Sequence, residues 1–201
     1  METTRPLVRE RLLIAARDMI RREGFAATSI DRLCGEAGVT KGAFFHHFAS
    51  KEALGVAVAN YWSSTTAALF AGAPYHAHAD PLDRVLGYID FRGAIIGDEI
   101  GEFTCLAGTL AQEVWSSSPA IAAACDASIS GHAATLEADI AAAMQTHNVT
   151  ATSAASLALH TQAVLQGGFV LATAKRDPAV ARDAAMHLRR YFELVFGRRR
   201  E

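Results

Sequence analysis

The ten residues VTKGAFFHHF, at positions 39–48, contain the side chains of this chain whose types most strongly suggest a chemical function. His46 and His47 are adjacent, and a pair of histidines suggests either a metal site or an acid–base pair. Successive residues on a helix point about 100° apart, so two neighbouring histidines are poorly placed to share one ion. Lys41 and three phenylalanines in the same segment suggest phosphate binding and core packing instead.

The elements around this segment predict how its side chains are positioned. Ser29 is a favourable N-cap for a short helix, and Gly38 can end that helix in the left-handed conformation. Thr40 can cap another helix only two residues later, so residues 29–48 are predicted to form a helix-turn-helix. The residues expected to face its core are Ile30, Leu33, Cys34, Ala37, Val39, Phe44 and Phe48.

The outward face of the second of these helices has the character of a DNA-reading surface. The free N–H groups at its start suit a phosphate, and Gly42 and Ala43 are small enough for the helix to enter a major groove. Ala43 could contact a thymine methyl group, and Lys41 and Lys51 could neutralise phosphates. The residues predicted to contact DNA are Ser29, Thr40, Lys41, Gly42, Ala43, Phe45, His46, His47 and Lys51.

Residues 24–54, GFAATSIDRLCGEAGVTKGAFFHHFASKEAL, resemble the N-terminal DNA-binding domain of the TetR family of transcriptional regulators. The shared features are Gly24-Phe25, Thr28, Ile30, Ala37-Gly38-Val39, Lys41-Gly42, the aromatic-x-His-Phe of Phe45 to Phe48, and Lys51-Glu52-Ala53-Leu54. The resemblance implies a homodimer that binds a near-palindromic operator and usually represses transcription until a small-molecule effector releases it. Phe45 departs from the family pattern, since most members carry there a tyrosine whose hydroxyl binds a phosphate.

The spacing of apolar residues predicts an all-α protein of about nine helices. The first helix is expected to open near Thr3 or Thr4, with Arg5 and Pro6 in its first turn, and to stop at Gly24. The further helices are predicted at about 51–70, 82–97, 103–115, 119–146, 153–175 and 179–196, with a clear break at 71–81.

Two domains are expected from this pattern and from the resemblance. Residues 1–52 would form a three-helix domain containing the helix-turn-helix, and residues 53–201 a larger helical domain for effector binding and dimerisation. The charge distribution supports this division. Residues 1–52 carry 9 Lys and Arg against 7 Asp and Glu, whereas residues 53–174 carry 2 against 10. Such an asymmetry suggests that only the N-terminal part meets a polyanion.

The larger domain supplies two further sets of candidate residues. Bulky and polar side chains of its middle helices suggest an effector pocket, and the scarcity of Lys and Arg favours a neutral, cationic or mostly apolar effector. The predicted pocket residues are Tyr88, Phe91, Phe103, Cys105, Trp115, His132, Met144, Gln162 and Phe169. The resemblance also implies that the last two helices pair with their copies. Leu157, Val164, Leu165, Gly168, Leu171, Tyr191 and Leu194 are the predicted interface residues, an internal core being the alternative.

Other functions are less favoured by the sequence. The chain contains no GxSxG, HExxH, P-loop or GxGxxG motif, so we expect no enzyme and no cofactor. His76-x-His78 offers two metal ligands without an obvious third, so no metal site is predicted, and a metal-responsive regulator of the same fold or a small all-helical enzyme stays an alternative. Cys105 or Cys125 could make the regulator redox-responsive, and a protein that only organises nucleic acid would be expected to be more basic.

The location of the chain is also constrained. No window approaches the roughly 20 apolar residues of a membrane span, so we expect no membrane partner. The N-terminus, METTRPLVRERLL, mixes acids and bases and lacks the apolar core of a signal peptide. We therefore expect a cytoplasmic protein.

Overall fold

A computed structural model describes residues 6–198 of the chain. Its regular elements in that range are all helical, which confirms the predicted fold class, and they comprise ten α-helices and one short 3-10 helix. The α-helices are α1 (Val8–Glu23), α2 (Ile30–Ala37), α3 (Lys41–His47), α4 (Lys51–Ala71), α5 (Pro81–Ala94), α6 (Leu106–Val114), α7 (Pro119–Ala134), α8 (Glu137–His147), α9 (Ala154–Lys175) and α10 (Ala179–Val195). The 3-10 helix is Pro74–Ala77, within the predicted break.

The predicted helix-turn-helix is present, with the expected caps. The Ser29 hydroxyl accepts a hydrogen bond from Arg32 N at 3.3 Å, and Gly38 ends α2 in the left-handed conformation at φ 62°. The Thr40 hydroxyl accepts from Ala43 N at 3.1 Å at the start of α3. Ser50 caps α4 in the same way, through Ala53 N at 3.0 Å. These side chains satisfy backbone donors that a helix N-terminus leaves unpaired.

Several predicted helix boundaries were wrong. The first helix begins at Val8, and Pro6 precedes it, while Thr3, Thr4 and Arg5 lie outside the described residues. The helix predicted from residue 103 begins at Leu106, because the backbone carbonyl and hydroxyl of Thr104 bond to Arg21 instead.

The single helix predicted over 119–146 is two helices, α7 and α8. The chain leaves the α-helical pattern at residues 135–136, where Thr135 N donates to the His132 carbonyl and Leu136 N to the Ala133 carbonyl. The Thr135 hydroxyl also donates to the His132 carbonyl at 2.7 Å. Local bonding by a threonine hydroxyl competes with helix propagation, and neither glycine nor proline marks the break in the sequence.

The chain forms two compact units. The first contains the described residues up to Thr66 together with Thr104–Ser128, and in it α1 packs against α2, α3 and α6. Most of the predicted inward set is buried in this unit, including Leu33, Cys34 and Phe44, whereas Ile30 and Val39 are half-buried. The first unit thus extends beyond residue 52, and the functional boundary at 52/53 stays a prediction.

The second unit contains Ala67–Phe103 and the described residues from Ile129 onward. Here α10 packs against α9 and α5, and α8 packs against α5 and α9. A Cβ atom on Gly168 would lie 2.9 Å from the Cβ of Ala184, so this glycine permits a close approach of α9 to α10 within the chain. Gly168, which was predicted at the dimer interface, thus packs against α10 of its own chain, whereas a Cβ atom on Gly167 would meet no atom within 4 Å.

Candidate functional site

Helix α3 divides its aromatic residues between the core and the solvent. Phe44 is fully buried, and Phe48 is 4% exposed. Phe45 is 50% exposed, although its ring contacts Phe44 edge-to-face with the centroids 5.2 Å apart. Burial of Phe44 and Phe48 fixes the rotation of α3, so the face that carries Phe45 points to solvent.

Lys41 begins this exposed face and is paired with an acid. Its ammonium lies 2.9 Å from the Asp31 carboxylate, and the two side chains are 56% and 75% exposed. An ion pair so open to water contributes little to stability and exchanges readily. A phosphate could therefore replace Asp31 as the partner of Lys41.

The remaining predicted DNA contacts of α3 differ in their availability. Gly42 and His46 are exposed, whereas Ala43 and His47 are half-buried. The His46 and His47 rings contact each other with centroids 4.9 Å apart. The hydroxyls of Ser29 and Thr40 serve as helix caps, so any DNA contact by these two residues would use the remaining hydrogen-bonding capacity of each hydroxyl.

Lys51 has a structural role that its sequence position did not reveal. Its ammonium donates to the Ala26 carbonyl at 3.3 Å and lies 4.5 Å from the centroid of the Phe25 ring. Desolvation of this half-buried side chain lowers the pKa of Lys51, although the nearby Glu113 carboxylate opposes that effect. Lys51 thus contacts the turn between α1 and α2, and a phosphate contact by the same residue stays a prediction.

The same turn is bonded to α6, which sequence reasoning missed. The Glu113 carboxylate accepts hydrogen bonds from the backbone N–H groups of Phe25 and Ala26, at 3.0 and 2.8 Å. Just before α6, the Thr104 hydroxyl donates to the Arg21 carbonyl, and the Arg21 guanidinium donates to the Thr104 carbonyl. These bonds join residues more than 80 positions apart, and no local motif marks them.

Three of the predicted pocket residues form a buried polar network in the second unit. The Gln162 side-chain amide donates to the Tyr88 hydroxyl at 2.9 Å, and that hydroxyl lies 3.0 Å from Nε2 of His132. With its own proton available, the Tyr88 hydroxyl can donate to a neutral His132 while it accepts from Gln162. The network therefore fits a neutral imidazole.

Aromatic rings surround this network. Phe70, which was not among the predicted residues, contacts the His132 ring at 4.5 Å and the Tyr88 ring at 5.5 Å between centroids. Desolvation by burial, with a contribution from the charge of Arg92, lowers the pKa of His132 to about 4. The Arg92 guanidinium lies 5.3 Å from the centroid of Phe70 and 5.5 Å from that of Phe169.

The other predicted pocket residues are distributed over the two units. Phe91 packs edge-to-face on Phe70, with the centroids 5.5 Å apart, and Met144 packs beside the same core. Phe103 belongs to a smaller cluster with Ile96, Ala172 and Ala181. Cys105 and Trp115 belong to the first unit, and Trp115 is 71% exposed. The network and its rings are therefore the part of the predicted pocket that the structure brings together.

The predicted interface residues also fall into two groups. Leu157, Leu165 and Gly168 are buried inside the second unit, so they cannot present a surface to another molecule. Leu171, Tyr191 and Leu194 are 55%, 41% and 80% exposed, and Val164 is half-buried. Further exposed apolar residues lie on the same two helices: Leu159, Val170 and Met186.

A helix-turn-helix with an open, small-residue recognition helix defines a class of DNA-binding regulators. Comparison with known proteins identifies the family. Residues 12–58 match the model of bacterial regulatory proteins of the TetR family, and residues 81–187 match the C-terminal domain of LmrA/YxaF-like transcriptional regulators. The chain belongs to the TetR family of bacterial regulatory proteins.

Two curated relatives each match a short part of the chain. YerO, an HTH-type transcriptional regulator of Bacillus subtilis, is 41% identical over 54 residues, which are 27% of this chain and 19% of YerO. UidR of Escherichia coli is 39% identical over 54 residues, which are 27% of this chain and 28% of UidR. The chain thus matches less than a third of the length of these relatives.

Similar structures extend over nearly the whole chain. A TetR-family regulator from Agrobacterium tumefaciens has a TM-score of 0.80 at 22% identity, with 92% of this chain and 96% of that chain covered. The reduced form of E. coli NemR has a TM-score of 0.75 at 25% identity, with 91% and 96% covered. At such identities the likeness establishes the fold.

Two further features of the described residues concern membranes and metal ions. None of the helices between residues 6 and 198 is long and apolar enough to cross a membrane. Within the same range, no three or more His, Cys, Asp or Glu side chains are grouped so that they could hold a metal ion.

Proposed function

We propose that this chain acts as a homodimer that reads a near-palindromic operator with α3 and represses transcription until a small effector releases it. The observation that supports operator reading most directly is the exposed face of α3, where Lys41, Gly42, Phe45 and His46 are open to solvent while Phe44 anchors the helix. Its work on DNA requires a cytoplasmic location.

Each predicted DNA contact has a proposed role. Lys41 neutralises a phosphate, and the small Gly42 and Ala43 allow the backbone of α3 to approach the bases. Phe45 packs against sugar or a thymine methyl group, since it lacks a hydroxyl. His46 or His47 then supplies the phosphate contact that a tyrosine would provide. Ser29, Thr40 and Lys51 complete the surface, although each also has a structural bond.

Footprinting on the DNA immediately upstream of the protein's own gene tests operator reading. We expect protection of two half-sites about one helical turn apart, ~34–36 Å, or somewhat more. Protection spread evenly over any DNA would contradict the proposal and favour a protein that organises nucleic acid.

The variant Ala43→Leu is expected to change the preferred sequence, because the added bulk meets the base edges.

The exposed apolar residues of α9 and α10 support the proposed dimer. Leu171, Tyr191 and Leu194 form, with the half-buried Val164, a surface that a second copy would cover, and large apolar surfaces are uncommon on monomers. The variant Leu194→Glu is expected to raise the dimer dissociation constant about 30-fold or more, corresponding to roughly 2 kcal/mol at an interface anchor. Analytical ultracentrifugation measures this change, and Asp183→Asn, at an exposed polar position of α10, is the control.

The buried network of Tyr88, His132 and Gln162 supports an effector site in the second unit. A neutral imidazole, a hydroxyl and an amide suit a neutral or mostly apolar effector with one or two polar atoms. Phe91 and Phe169 would contribute apolar contacts to it. A compound screen that measures release of the bound operator tests this, and Gln162→Leu is expected to weaken the response to an active compound while operator binding remains.

A further inference from the structure

The turn between α1 and α2, residues 24–27, is bonded by a carboxylate that lies far away in the sequence. Glu113 Oε1 accepts from Phe25 N at 3.0 Å, and Oε2 accepts from Ala26 N at 2.8 Å. Gly24 adopts φ 88°, and a Cβ atom at that position would collide with the same carboxylate. The turn and Glu113 thus fit each other closely, and both oxygens of the carboxylate are used.

The carboxylate is chemically suited to this task. Two adjacent N–H groups need two acceptors, and a carboxylate supplies them from one side chain. A glutamine of the same shape offers one acceptor, and its amide would face the other N–H group donor to donor. Hydrogen bonds to a charged acceptor are also stronger than those between neutral groups.

Lys51 complements Glu113 at the same turn. Its ammonium donates to the Ala26 carbonyl at 3.3 Å and lies over the Phe25 ring, whereas Glu113 accepts from the N–H groups of these two residues. The peptide groups of the turn are therefore bonded to an acid on α6 and to a base on α4. Such paired bonding restricts how the turn can shift.

The turn leads directly into the helix-turn-helix of residues 29–48. Thr28 is 1% exposed, and its hydroxyl donates to the Gly24 carbonyl at 2.8 Å. The next residue, Ser29, caps α2, and the Arg32 guanidinium returns to the Ala27 carbonyl at 3.2 Å. Because α2 packs against α3, a displacement of the turn would be passed to the start of α2 and then to α3.

The contact between α6 and α1 is secured at a second point. Before the start of α6, the Thr104 hydroxyl donates to the Arg21 carbonyl at 3.1 Å, and the Arg21 side chain donates to the Thr104 carbonyl at 2.9 Å. At the other end of α6, Glu113 bonds the turn that follows α1. Helix α6 thus contacts the last turn of α1 and the residues that follow it.

We propose that Glu113 is a positioning residue for operator binding, although it lies outside residues 12–58, which match the DNA-binding family model. It keeps the turn at residues 24–27 in the conformation that sets α2 and α3 for the operator. The proposal rests on the proposed reading of DNA by α3. The Glu113 carboxylate thus contributes to operator affinity although it does not contact the DNA.

The variant Glu113→Gln tests the proposal, because it keeps the side-chain shape and removes one acceptor. If only a fraction of the molecules keeps the binding-competent conformation, the apparent affinity falls in proportion to that fraction. We therefore expect about a threefold to tenfold loss of affinity for the specific operator. Binding to nonspecific DNA should not weaken and the salt slope should not fall, since no phosphate contact is lost. Gln112→Ala is the matched control, because the Gln112 amide donates only to the Gly108 carbonyl within α6.

Hydrogen exchange supplies a readout at the bonds themselves. The Phe25 and Ala26 amides should exchange about tenfold faster in Glu113→Gln, while amides elsewhere in α1 keep their rates. If that variant does not fold, Glu113→Asp carries the test, since it keeps the charge but has a shorter reach and should lose part of the affinity. A folded variant with wild-type operator affinity would overturn the proposal. A wild-type protein that binds no operator would instead refute the proposed function.

Discussion

Around α3, the side chains of Ser29 and Thr40 bond to backbone N–H groups at the surface, and Lys41 pairs with Asp31 in contact with water. Inside the second unit, Tyr88 and Gln162 form a buried network with His132 among aromatic rings. Both arrangements satisfy their polar groups, but the groups of the first are in contact with solvent, whereas Tyr88 and Gln162 of the second are buried. A charge on His132 would lose much of its hydration there, because burial of the imidazole disfavours its charged form.

Phe44 and Phe45, which are neighbours on α3, give the largest expected effect because the first is buried and the second half-exposed. Phe44→Ala should reduce the free energy of unfolding by about 3–5 kcal/mol, because it leaves a cavity between α1, α2 and α3. Phe45→Ala is the matched control, with an expected cost below about 1 kcal/mol for a half-exposed ring. Urea unfolding measures both values. Equal costs would mean that α3 does not separate a core face from a solvent-exposed face.

The buried network should make stability depend on pH. The pKa of His132 is about 4 in the folded chain, against 6.5 for an ordinary histidine. Above pH 6.5 the imidazole is neutral in both states, so it adds no pH dependence there. Between pH 6.5 and 4 the unfolded chain gains a proton that the folded chain does not, so the free energy of unfolding falls, by roughly 3 kcal/mol in total.

The variant His132→Gln isolates this effect, because glutamine cannot take up a proton and can still accept from the Tyr88 hydroxyl. The difference in unfolding free energy between wild type and variant should shrink or reverse as the pH falls from 6.5 to 4. A constant difference over that range would show that His132 protonates as easily in the folded as in the unfolded chain. The buried network would then solvate a charged imidazole as well as water does, like the solvent-exposed groups around α3.

Local sequence patterns predicted the helix-turn-helix of residues 29–48 well, and the reason is physical. Helix caps and glycines at helix C-termini act through bonds within three or four residues. The residue types at Ser29, Gly38 and Thr40 therefore predict where α2 and α3 begin and where α2 ends. The same short range explains why Phe44 was correctly expected in the core and α4 was correctly bounded. The exposed face of α3 then follows from helical periodicity.

Longer-range bonds could not be predicted from such patterns. The bond of Glu113 to Phe25 spans 88 positions, and that of Gln162 to Tyr88 spans 74. Periodicity also shows that one face of α9 is apolar without showing what covers it. Leu165 is covered by its own unit, whereas Leu171 remains exposed.

Lys41 gives the smallest of the expected effects. Its variant tests directly whether the exposed Lys41 ammonium can bind a phosphate in place of Asp31. Lys41→Ala should weaken binding to specific and nonspecific DNA alike, and it should reduce the slope of log affinity against log salt by about 0.9 for one lost phosphate contact. Lys175→Ala, at the exposed end of α9, should leave the slope unchanged. Fluorescence anisotropy at several salt concentrations measures both.

Asp31 sharpens this prediction, because it competes with phosphate for the same ammonium. In Asp31→Asn the ion pair of 2.9 Å is lost and Lys41 is left with its full charge toward DNA, so affinity should rise a few-fold. In the double variant Asp31→Asn with Lys41→Ala, the part of the affinity gain that comes through Lys41 should be absent. The double variant therefore separates the effect of breaking the ion pair from the effect of removing a negative charge near DNA. A gain that persists in the double variant would show that Asp31 acts by repelling phosphate and that the ion pair on the surface has no part in binding.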